Sequence, residues 1–144
     1  MRAEEILDAV VTLVTGLTTT GSNVFRGQVY DIPDASLPAI SIFMGEDTLD
    51  EELSNSLYDW SITIYVESKA EEASTQIDET LNTIRAEVHA GLFSVEDLGL
   101  SFVFKVTPIR AEEPVLSAAG SKPMGTQKLE YQVMYRTSRT NLNS

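Results

Sequence analysis

The spacing of apolar positions changes several times along the chain, and each change marks an element. Ile6, Leu7, Val10, Leu13, Val14 and Leu17 recur at helical spacing, which predicts an amphipathic N-terminal helix. Glu4, Glu5 and Asp8 put negative charge at the positive end of its dipole, and Gly16 stands where the helix should stop. A polar turn from Thr18 to Asn23 follows, and Val24 to Tyr30 reads as a short strand interrupted at Gly27. Pro33 and Pro38 bracket a loop. Pro38 to Met44 reads as a strand whose first residue is proline, a position that needs no ladder donor.

After an acidic connection, Trp60, Ile62, Ile64 and Val66 alternate with Ser61, Thr63, Tyr65 and Glu67, the period of two of a strand with one face more buried. Ser68 and Glu71 have the spacing of a helix capping box, and Ala73, Ile77, Leu81, Ile84 and Val88 then form one helical stripe, with Gly91 just past its end. Leu100 to Thr107 and Lys128 to Tyr135 alternate again and predict two more strands. Between them Ala111 to Gly125 is rich in Pro, Gly, Ala and Ser and reads as a loop longer than a hairpin needs.

The order helix, strands, helix, strands predicts an α+β fold: a mostly antiparallel sheet of about five strands with two main helices on one face. The chain carries no internal repeat and reads as a single domain over residues 1–144, with a polar, mobile tail at about 138–144.

Composition narrows the function. No apolar run approaches the roughly 20 residues of a membrane span, and the acidic N-terminus lacks the positive region of a secretion signal, so a soluble protein without membrane partners is expected. The absence of cysteine excludes disulfides, thiolate nucleophiles and cysteine-ligated metals. The net charge of −12 disfavours nucleic acid over most of the surface. That charge is uneven: residues 1–103 carry 19 acids and 4 bases, whereas residues 104–144 carry 3 acids and 6 bases. Either the charges scatter over one surface, or the basic part of one copy meets the acidic part of the next, as in head-to-tail contacts that close into a ring.

Candidate chemistry is sparse. His89 is the single histidine and has no second histidine to complete a metal pair, which leaves it a helix-end role. Gly120 to Gln127 has glycines at P-loop spacing but lacks the Lys-Ser/Thr pair, and it precedes a strand where the motif must open a helix. Glu46, Asp47, Asp50, Glu51 and Glu52 form the densest acidic group, without the alternating ligands and central glycine of a calcium loop; a solvated loop or a contact for a basic partner suits it better. No G-x-S-x-G elbow promotes a serine. The chain therefore reads as a binding protein with no catalytic residues, metal or cofactor. The remaining interface candidates are Val115, Leu116, Lys122 and Met124 in the long loop, and Arg136 and Arg139 near the C-terminus.

The layout as a whole resembles the tail terminator, or minor tail protein U-like, subunits of long-tailed bacteriophages. The resemblance runs from the N-terminal helix through Val24 to Tyr30, Leu37 to Phe43, Trp60 to Glu67 and the helix from Ala70 to Ala90 to the closing strand Leu129 to Arg136. It implies a homo-oligomeric ring, a hexamer in that family, on the head-proximal end of the tail, with the tail tube protein and the head–tail connector as partners. DNA would pass through the lumen without specific binding, past acidic side chains that repel its phosphates. The expected location is the virion, after synthesis in the host cytoplasm. Other joining, tail-completion or tube subunits share this layout. From a different class, a small acidic enzyme or ligand-binding domain would need a pocket of convergent carboxylates.

Overall fold

In the computed structural model, residues 1–27, 37–52, 56–71, 77–117 and 124–144 are described, with the backbone alone at 51, 52 and 117. The spine is a pair of strands of 15 residues each, β3 (Leu57–Glu71) and β6 (Met124–Ser138), antiparallel from Leu57↔Ser138 to Glu71↔Met124. With a side-chain period of two, this register aligns Ile62, Ile64 and Val66 with Val133, Tyr131 and Leu129 on one face. All six are buried. Each such side chain contributes about 1.5–3 kcal/mol of apolar transfer free energy.

Strand β2 (Ala39–Glu52) pairs antiparallel with β3, and the short β1 (Val24–Arg26) pairs parallel with β2. On the other side β4 (Val103–Ala111) pairs with β6, and β5 (Val115–Ser117) pairs with the start of β6. The sheet order is β1-β2-β3-β6-β4, with β5 beside β6. Helix α1 (Arg2–Val14) buries Ala3, Ile6, Leu7, Val10 and Val14, and α2 (Ile77–Leu92) buries Ile77, Leu81, Ile84, Val88 and Leu92. Both stripes join the sheet's apolar face in the core. The α+β class and the element order expected from the sequence are those observed.

Several boundaries differ, and in the strands the sheet ladder prevails over a local signal. The acidic connection is strand: β2 continues through Glu52, bulging between Met44 and Asp47 and again between Leu49 and Glu51 to stay in register with β3. Ser68 and Glu71 do not cap a helix. Both remain in β3, where cross-strand bonds satisfy their backbone, and the buried Ser68 hydroxyl donates to the Gln127 carbonyl at 3.3 Å. Described α2 starts at Ile77, so Ala70 is strand, Ala73 lies outside the described residues, and Gly91 sits inside the last turn. The 111–125 loop contributes β5, which makes six strands among the described residues. The strand expected to run to Tyr30 is described only as far as Arg26; Tyr30 and Pro33 lie outside the described residues.

Between α2 and β4 the chain turns through Asp97 (φ 52°), Leu98 (φ 57°) and Gly99 (φ 73°). Left-handed conformation costs a non-glycine residue roughly 1–2 kcal/mol, which the burial of Leu98 offsets. The C-terminal segment makes backbone bonds to the rest of the fold: Arg2 N–H donates to the Leu142 carbonyl at 3.0 Å, and Arg139 N–H to the Ser56 carbonyl at 2.8 Å.

At Gly91 the two helices approach each other closely. A Cβ there would stand 2.8 Å from the Leu13 carbonyl oxygen. Gly91→Ala should gain helix propensity of up to about 1 kcal/mol and lose more, since the obstacle is backbone and forced core shifts cost about 1–3 kcal/mol. The expected outcome is a lower urea midpoint at unchanged m-value, and a higher midpoint would mean that α1 gives way freely.

Candidate functional site

Both helices occupy one face of the sheet, and the opposite face bears polar side chains in matched rows. Glu67 pairs across from Lys128, whose Nζ lies 5.3 Å from the centroid of the Tyr65 ring. Arg110 Nε donates to Glu130 Oε2 at 2.9 Å, and Arg136 donates from Nε and Nη2 to Asp59 at 2.8 and 3.3 Å. Asp59 is buried, so Arg136 supplies both its hydrogen bonds and its counter-charge. Isolated exposed pairs contribute about 0–1 kcal/mol each, and here they chiefly hold register.

The sheet's two long edges differ from this internally matched face. Among the described residues, β1 covers only Ile40–Ile42 of the outer side of β2, and no strand pairs with the outer side of β4. The open part of β2 carries Glu46, Asp47 and Asp50 with the exposed apolar side chains Met44 and Leu49. The open edge of β4 carries Lys105, together with Arg110, whose charge is engaged by Glu130, and exposed Phe104 and Ile109. One edge is acidic and the other basic, and β3 and β6 separate them.

The candidate residues fall into two groups. Glu46, Asp47, Asp50 and the backbone of Glu51 and Glu52 lie along distal β2, opposite the part of β3 that pairs with Arg136 and its neighbours; the side chains of Glu51 and Glu52 are outside the description. Arg139 joins this end through its bond to Ser56. Val115 and Leu116, both more than half exposed, and Met124 lie at the other end of β6, about 40 Å from Arg136 at roughly 3.4 Å per residue. Lys122 and the glycine-spaced segment around it lie outside the described residues. Folding thus turns Arg136 onto Asp59 of its own chain.

Sequence reasoning missed Met44, Leu49, Phe104, Lys105, Ile109 and Arg110 as edge residues. The signal that could have found the β4 edge is Pro108: its missing N–H confines it to an edge strand or a bulge, and β4 runs through it with a register shift beside it.

Within the acidic edge, Asp47 is singular. Its Oδ2 accepts a hydrogen bond from the Tyr135 hydroxyl, while its Oδ1 is buried with no partner among the described residues. Burial pushes the Asp47 carboxyl up, the Tyr135 bond holds it down, and the nearby Asp50 charge raises it further, for a net rise. Burial and the same carboxylate push the Tyr135 hydroxyl up strongly. Asp50 accepts from the Ser61 hydroxyl. Among the described residues no group of three or more acidic or histidine side chains is arranged to hold a metal ion.

No family model and no curated protein matches the chain. Among solved structures it is similar to a chain from the "Virion of native gene transfer agent (GTA) particle", at 13% sequence identity and a TM-score of 0.49, over 95% of this chain and 89% of that one.

The raised Asp47 value has a sign that can be measured. The folded state holds this proton more tightly than the unfolded chain, so the group's contribution to stability is fully present below its ordinary value of 3.8 and is lost as pH rises through the folded value. Asp47→Asn keeps an oxygen for Tyr135 and never ionises. It should raise the urea midpoint at neutral pH, and the gain should vanish below pH 3.8. A lowered midpoint at neutral pH would mean that the charged hydrogen bond outweighs desolvation.

Proposed function

We propose that this protein is a ring-forming structural subunit of a phage tail, acting as a tail terminator. The observation that carries the reading is the pair of open sheet edges of opposite charge. An open edge recruits further strands unless it is defended. Here bulges and carboxylates defend β2, and Pro108, a register shift and basic residues defend β4. Acidic edges repel each other, as do basic ones, so pairing of like edges is disfavoured, whereas β2 of one copy complements β4 of the next. Such a heterologous contact closes into a ring when the rotation per copy allows it. It would also bury Met44 and Leu49 against Phe104 and Ile109.

The resemblance to tail terminators supplies the setting. The ring, of six copies in that family, would sit on the head-proximal end of the tail tube, stop further addition of tube protein and offer its other side to the head–tail connector. Function of this kind is geometric and needs no catalytic group. DNA crossing the lumen would meet a strongly acidic protein and slide past it without specific binding.

Two charge-reversed variants test the edge contact. Lys105→Glu with Arg110→Glu makes both edges acidic, and Glu46→Lys, Asp50→Lys, Glu51→Lys and Glu52→Lys together make both edges basic. Each variant alone should stay monomeric by light scattering, with association weakened by roughly tenfold or more. An equimolar mixture should recover rings of alternating composition. Rings from either variant alone would remove the edge contact from the proposal. Electron microscopy of the native protein with unterminated tail tubes separates the roles: density capping one tube end is expected of a terminator, long tubes from the protein alone identify a tube subunit, and monomers that ignore tube ends overturn the tail reading.

A further inference from the structure

At the end of the sheet where α1 begins, an open pocket of about 480 Å³ is lined by Arg2, Leu57, Ser101, Phe102, Phe104, Arg136, Thr137, Ser138 and Ser144. Its ionisable side chains are two arginines, in a protein whose formal charge is −12. Each guanidinium lies against an aromatic ring: Arg2 Cζ is 4.1 Å from the Phe102 centroid and Arg136 Cζ is 5.8 Å from the Phe104 centroid. A ring face pins the planar fork and leaves its edge free to donate.

The two arginines are balanced differently. Arg136 is engaged by Asp59. Arg2 Nε is buried with no hydrogen-bond partner among the described residues, a donor whose desolvation is uncompensated. Glu4, on the same helix turn, is turned to Arg26, and among the described residues no acidic side chain pairs with Arg2. The exposed hydroxyl of Ser101 stands at the same pocket and can also donate, whereas the buried hydroxyl of Thr137 is engaged by Trp60 Nε1 at 3.0 Å.

We propose that this pocket is an oxyanion-binding site in which Arg2, held on Phe102, receives a carboxylate or phosphate group. The two oxyanions meet the same donors: the N–H groups of the Arg2 guanidinium and the Ser101 hydroxyl at the rim. A carboxylate would come from an acidic side chain of a partner protein, and a phosphate from a free ion. The pocket is distinct from the distal β2 edge, so the proposal stands whether or not the ring forms.

The test follows the Arg2 Nε–H and Phe102 ring resonances by NMR during separate titrations with inorganic phosphate and with acetate, at ionic strength held constant with sodium chloride. Saturable shifts in the millimolar range are expected, and the titrant that saturates first identifies the chemistry. Two variants control the result. Arg2→Gln should abolish the shifts. Ser101→Asp, at an exposed position, puts a competing carboxylate at the rim, leaves Arg2 in place and should suppress them while the thermal melt is unchanged. Shifts that never saturate with either anion, or that persist in both variants, overturn the site.

Discussion

The β3–β6 ladder is the constraint on which the rest of the molecule depends. Two strands of 15 residues share one register from end to end, and a slip by one residue would put the apolar side chains of one strand on the polar face of the other. The apolar face of this pair receives both helices, and its two flanks define where β2 and β4 can lie. The ladder also prevails over local signals. Ser68 and Glu71 have capping-box spacing, yet the partner strand satisfies their backbone groups and Ser68 is sealed in the core.

A long central pair flanked by shorter or irregular strands leaves edges, and the charge distribution becomes meaningful there. The acids of distal β2 and the bases of β4 belong to opposite margins of one sheet. The polar face between them is internally matched through Glu67 and Lys128, Arg110 and Glu130, and Arg136 and Asp59. The face settles its charges within one chain, whereas Glu46 and Asp50 on one margin and Lys105 on the other are exposed. Asp47 fits this division: its carboxyl turns inward to Tyr135 and so belongs to the fold, whereas Glu46 beside it is exposed.

The two chain termini meet at the same end of the sheet, where Leu142 holds the first turn of α1 and Arg2 leans on Phe102. Joining the segment after β6 to the first helix creates the pocket, and neither segment alone would form it.

The helices, the strand alternation and the α+β order were legible in the sequence because each depends on a period that side-chain burial imposes locally: 3.6 for Ile6 to Val14, and 2 for Trp60 to Val66 and Leu129 to Tyr135. The uneven charge was legible too, but not its meaning. Arg136 lies in the basic C-terminal part, yet it pairs with Asp59, 77 residues earlier, because strand pairing joins positions without regard to their distance along the chain. For the same reason the acidic stretch became a strand, β4 became an edge through Pro108, and Val115 and Leu116 separated from the acidic group. Burial period is a property of neighbouring residues and can be read from the sequence; which strand lies beside which, and therefore which edges stay open, is decided only when the sheet closes over its core.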